Sequence, residues 1–135
     1  VVDIRARRHG AWIVTDVRVA VARCHAGPCR AGTTVVVQVP GGEIGDLGMS
    51  VAGAPQFRRA ERVLLFARPT GTRLVPVGLA LGVLRWQAGQ WARDLTGVST
   101  VAGGAPRAGR FELWAPAQVE AMASRWRTRG QGAAR

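Results

Sequence analysis

The sequence predicts a mainly β domain, a small Greek-key barrel or sandwich with one C-terminal helix, and three observations lead there. Apolar and polar residues alternate with period two from Thr15 to Arg23, and β-branched residues resume from Thr33 to Val39, as in strands with one buried face. Glycine and proline punctuate the chain at short intervals, as turns between strands require. Only one stretch, beginning at Pro116, carries apolar residues at helical spacing. A barrel is the favoured form, because closure removes the sheet edges that otherwise invite aggregation.

In the first run the valines point one way and Asp16, Arg18 and Arg23 are set against them. Gly27-Pro28 supplies a turn, so the two runs read as a hairpin whose mouth carries Cys24 and Cys29. Pro40-Gly41-Gly42 ends the second strand and opens an irregular segment to about Pro55, with glycine at 42, 45, 48 and 53. No Gly-Lys-Ser/Thr follows, the spacing is wrong for a dinucleotide fingerprint and no helical pattern begins there. A bulged or looped strand is therefore expected rather than a phosphate cradle.

Val63 to Ala67 is a short apolar run suited to a strand buried on both faces, and is the best candidate for the centre of the core. After a turn at Pro69-Thr70-Gly71, Leu74 to Leu84 reads as one or two strands, with Pro76 and the glycines marking a bend. Gln87-Ala88-Gly89-Gln90 is a hairpin turn that brings Trp86 and Trp91 together. Thr96 to Arg110, rich in Gly, Ala, Ser and Pro, reads as a surface loop. The helix is expected over about 116–127, with Val119, Met122, Ala123 and Trp126 on one face and Arg125, Arg127 and Arg129 near the negative end of its dipole. If it lies back on the sheets, Trp114 and Trp126 are core residues.

A chain of 135 residues is the size of one domain, and residues 1–129 read as a single β-rich domain followed by a flexible basic tail over 130–135. No apolar run approaches the roughly 20 residues of a membrane-spanning helix. The 19 cationic side chains are all arginine, against 8 acidic residues, for a net charge of +11. With Ala, Gly and Val abundant and no Lys, Asn or Tyr, part of this preference reflects GC-rich codons. The excess of charge survives that argument and keeps a polyanion in view as a partner.

Cys24 and Cys29 flank His-Ala-Gly-Pro. A structural disulfide is the expected state if the protein is exported, with free thiols as the alternative. A zinc site would need four ligands, and His9, the one histidine besides His25, is remote in sequence. The start at Val1, without Met or an apolar leader, fits a mature chain whose signal peptide has been removed. The expected location is secreted, periplasmic or at the cell surface.

No catalytic constellation emerges. A triad needs a base, here only His9 or His25, and neither stands beside a nucleophile motif; Gly-x-Ser-x-Gly and His-Glu-x-x-His are both missing. Glu43 and Asp46 could contribute to a calcium site, but two acids are few for a cation that takes six to eight oxygens. Turn-making and pairing with Arg58, Arg59 or Arg62 is their expected role. The candidate binding surface is Arg85, Trp86, Trp91 and Arg93, since aromatic rings among arginines can stack bases or sugars.

Trp12-Ile13-Val14-Thr15-Asp16-Val17, Val39-Pro40-Gly41-Gly42-Glu43-Ile44-Gly45, Val51-Ala52-Gly53-Ala54-Pro55-Gln56-Phe57, Glu61-Arg62-Val63-Leu64-Leu65-Phe66 and Val77-Gly78-Leu79-Ala80-Leu81-Gly82 together resemble a family of uncharacterised exported bacterial β-domain proteins. The resemblance covers about Trp12 to Leu113 and rests on turn and core residues. It implies a shared fold, export, a further strand before Trp12 and no enzyme activity or cofactor. Ala60 departs from the glycine more usual in the family, and the cysteine pair is not general to it. The expected function is a non-catalytic secreted or cell-surface structural or interaction domain, pairing with copies of itself or with another surface protein. The alternative is a polyanion-binding module for nucleic acid or acidic polysaccharide.

Overall fold

The computed structural model describes residues 1–132. In chain order the strands are β1 (Asp3–His9), β2 (Trp12–Ala20), β3 (Thr34–Pro40), β4 (Gly42–Ile44), β5 (Leu47–Met49), β6 (Val63–Leu65) and β7 (Ala67–Thr70). They continue as β8 (Arg73–Pro76), β9 (Val83–Gln87), β10 (Gln90–Asp94), β11 (Ser99–Ala102), β12 (Ala105–Ala108) and β13 (Phe111–Trp114), followed by helix α1 (Pro116–Gly132).

Valine alternation builds the first sheet. Val17, Val19, Val37 and Val39 are buried while Arg18 between them stays in water, so β2 and β3 pair in the one register that puts these valines on a common face. β1 pairs with β2 along its whole length. The sheet order is β1-β2-β3-β8-β7, with β8 parallel to β3. A second sheet, β13-β10-β9-β6, lies against it. Val63 and Leu65 of β6 pack on the valine cluster, whereas Leu64 and Phe66 join Leu84, Trp91 and Val119 of α1 in a second cluster.

The apolar run from Val63 therefore does contact two cores, as expected, yet it is not their centre. β6 is an edge strand and keeps partial exposure, and the largest fully buried side chains among the described residues are Val17, Val37, Val83 and Leu84. The chain passes from one sheet to the other at Phe66, whose amide donates to the Gly82 carbonyl and whose carbonyl accepts from Val77, each at 2.8 Å. A Cβ at Gly82 would stand 2.6 Å from the Phe66 oxygen and 2.7 Å from that of Val77, so this corner closes only around glycine.

The fold is mainly β and sandwich-like, and the sheets do not close into the favoured barrel. β1 and β7 remain edges of one sheet and β6 and β13 of the other. Closure is not needed to bury apolar surface here, because α1 covers the second sheet on the side away from the first.

Several local expectations change. The run from Leu74 to Leu84 is not continuous strand: Leu79 takes a left-handed backbone with φ of 56°, and Leu79–Gly82 form a 3-10 turn. The segment expected as a loop, Thr96 to Arg110, contains the hairpin β11–β12; its described side chains on these strands are exposed, so no buried face marks it in the sequence. The looped segment after Pro40 likewise forms a small hairpin, β4–β5. Helix α1 passes the expected end at 127 and makes 130–132 helical rather than tail, while 133–135 lie outside the described residues. Trp126 is 56% exposed instead of core, its ring resting 5.7 Å from that of Phe66, because the buried stripe of α1 narrows to Val119 and Ala123. Cys24 and Cys29 form a disulfide with Cα atoms 5.6 Å apart. It staples the loop beyond the β2–β3 ladder, past the Val21–Thr33 bond, rather than the hairpin mouth.

Candidate functional site

The β9–β10 turn is built as expected. Ala88 and Gly89 both take positive φ, 46° and 79°, the backbone of a tight turn whose twist matches the strands it joins. Trp86 and Trp91 are directly paired across it, with ring centroids 5.1 Å apart and planes at 71°, an edge-to-face contact. They are not an open platform. Trp91 is 9% exposed and packs with Leu84 and Val119, and the Arg62 guanidinium covers Trp86 at 4.8 Å and Trp91 at 5.6 Å.

The flanking arginines separate. Arg85 turns to the opposite side of the strand, where Nε pairs with Glu61 at 2.7 Å and Nη2 donates to the Gln56 carbonyl. Arg93 donates from Nε to Glu112 at 2.8 Å and from Nη1 to the Leu81 carbonyl at 3.2 Å, and lies over Trp114 at 5.4 Å. Arg85, Trp86, Trp91 and Arg93 thus share a hairpin but do not form one exposed surface: three belong to the layer beneath α1, and strand alternation sends Arg85 away from them.

On the Arg85 side the second sheet floors a cleft of about 310 Å³, walled by the Gly53–Gln56 turn and Val98 and reaching Asp94 and Phe111. Both of its carboxylates are engaged. Besides the Arg85–Glu61 pair, Asp94 accepts from the Thr96 hydroxyl at 2.6 Å and amide at 3.0 Å, and these bonds hold its carboxyl below the usual range.

The histidines stand apart. His9 is exposed at the β1–β2 turn. His25 is half-buried with Nδ1 enclosed and unpartnered among the described residues; burial, with Arg23 adding to it, pushes its pKa down. Glu43 and Asp46 are exposed in the β4–β5 hairpin. The arginines expected to meet them are elsewhere, Arg59 on Asp3 at 2.7 Å and Arg62 on the tryptophans. Among the described residues no three His, Cys, Asp or Glu side chains cluster as a metal site would need.

Two surfaces were not legible beforehand. The outward face of the first sheet gathers Arg5, Arg7, Arg18, Arg68 and Arg73 around Asp3 and Asp16, as the strand registers require. Asp16 sits at its middle, 2.8 Å from Arg7 and 3.1 Å from Arg73. The other surface is β13, whose Phe111 and Leu113 are 49% and 59% exposed. A groove of about 390 Å³ follows its residues and ends at Gln118 of α1. The alternation Phe-Glu-Leu-Trp was the available signal for this strand, and four residues are too few to stand out.

No family model, curated protein or solved structure matches the chain.

Proposed function

We propose that this is a non-catalytic domain that works at the cell surface or outside the cell by binding another protein or a further copy of itself. The observation that carries this reading is the apolar exposure of Phe111 and Leu113 on an unpaired edge strand, a place where folded proteins usually set charge or proline to discourage contact. The engagement of both carboxylates in the neighbouring cleft, Glu61 by Arg85 and Asp94 by Thr96, supports it, since a reacting group needs a free base or acid. The Cys24–Cys29 disulfide supports an oxidising compartment, and no helix among the described residues is long and apolar enough to cross a membrane. Kinship with the exported family that the turn motifs resemble is part of the same proposal.

Cross-linking in the native extracellular fraction tests it, comparing the unaltered chain with the double variant Phe111→Asp, Leu113→Asp. Discrete cross-linked species, made by the first and lost in the second while circular dichroism stays the same, are expected. Identical patterns from both chains, or turnover of ester, peptide, phosphate or glycoside substrates, would overturn the reading.

A second reading is favoured by the five arginines on the outward face of the first sheet: an acidic polysaccharide or nucleic acid lying across it. Here the expectation is retention on heparin or single-stranded DNA that falls steeply with salt, and that Arg5→Ser with Arg18→Ser weakens. Elution of the unaltered chain at low salt would exclude it.

A further inference from the structure

β13 offers more than apolar side chains. The Leu95 amide donates to the Arg110 carbonyl at 3.2 Å, which sets the phase of the antiparallel ladder between β10 and β13. Bonded pairs alternate with unbonded ones in such a ladder. Arg93–Glu112 and Trp91–Trp114 fall in the bonded phase with Leu95–Arg110, leaving Asp94–Phe111 and Ala92–Leu113 in the other. Phe111 and Leu113 therefore turn their N–H and C=O groups toward the open edge, and the same two residues expose their side chains. A row of unpaired amides beside a groove is the geometry by which a sheet takes on an additional strand.

Charge selects what would lie there. Glu112 is held by Arg93, whereas Arg110, exposed one residue before β13, has no acidic partner among the described residues. The chain as a whole carries +11. A second copy would bring the same arginine and the same net charge to the edge. Four residues of strand also bury far less than the roughly 800 Å² per partner of a stable complex, which suits a transient peptide clasp better than a permanent dimer. We infer that β13 binds an extended acidic peptide segment of another protein by strand addition, apolar residues of the peptide lying beside Phe111 and Leu113 and a carboxylate facing Arg110.

This inference rests on the interaction reading and names its site and partner chemistry. Its test uses two labelled hexapeptides, alternating Val-Asp and alternating Val-Lys, titrated into the full chain by fluorescence anisotropy. Saturable binding of the Val-Asp peptide is expected, about tenfold tighter than Val-Lys, with the preference narrowing in about 0.5 M salt. Arg110→Glu removes that preference. Leu113→Pro deletes an outward amide where an edge strand tolerates proline, and weakens binding about tenfold or more. Should that variant not fold, a Val-Asp peptide N-methylated at alternate residues asks the same question from the ligand side, and loses binding. The proposal is overturned by equal binding of both peptides, by no saturation up to about 1 mM, or by a concentration-dependent dimer that competes with the peptide. If neither peptide binds but the double variant still loses its cross-links, the acidic-strand chemistry has failed and the interaction reading stands.

Discussion

Asp16 shows how one residue links sheet register to pH. Pairing of β1 with β2 and of β2 with β3 places it among Arg7, Gln38 and Arg73. Partial burial pushes its carboxyl up, but the hydrogen bonds and charges of Arg7 and Arg73 outweigh that and hold it below the usual carboxylate range. The native state thus binds this proton less readily than the unfolded chain, so the contribution is complete above about pH 4 and disappears as pH falls through the lowered native value. Asp16→Asn is expected to cost about 2 kcal/mol at pH 7 and much less at pH 2.5, as urea denaturation at the two pH values would show. An undiminished cost in acid would mean that packing, not charge, accounts for the residue.

At the scale of elements, two hairpins differ in what supports them. The β9–β10 hairpin is locked by Trp86 against Trp91 and by α1 above, yet its turn carries alanine in a left-handed conformation at Ala88. Asparagine accepts that backbone more readily, so Ala88→Asn is expected to stabilise the protein by about 0.5–1 kcal/mol, read as a higher thermal midpoint. The β11–β12 hairpin is the opposite case. Val101 is 75% exposed, and the Gly109 amide already bonds the Val98 carbonyl at 2.7 Å across the hairpin base. Replacing 99–108 with an Asn-Gly turn removes no described buried side chain, and thermal unfolding should report a change within about 1 kcal/mol. A larger loss would show that the hairpin packs on the body in solution.

At the scale of the whole molecule, loop and helix are joined as well as sheets. The disulfide loop reaches α1 through Arg23 and Glu120, 2.6 Å apart, and closing a loop of this size is worth about 2 kcal/mol of unfolded-chain entropy. The double variant Cys24→Ser, Cys29→Ser should lose about that amount in denaturant while keeping its circular dichroism. Reagent-accessible thiols in freshly isolated protein would instead show that the bond does not form in its native setting. The sequence by itself determined the β class, the valine face of β2 and β3, the β9–β10 turn, the cysteine pair and the start of α1 at Pro116, because each is a contest among near neighbours along the chain. Only the tertiary structure decided that the sheets stay open, that Trp91 is covered while Trp126 is not, that Arg85 faces away from Trp86, and that β13 ends its sheet. Periodicity records that a face is apolar; which distant surface comes to cover that face, and which strand is left without a neighbour, depends on how the sheets and α1 pack in space.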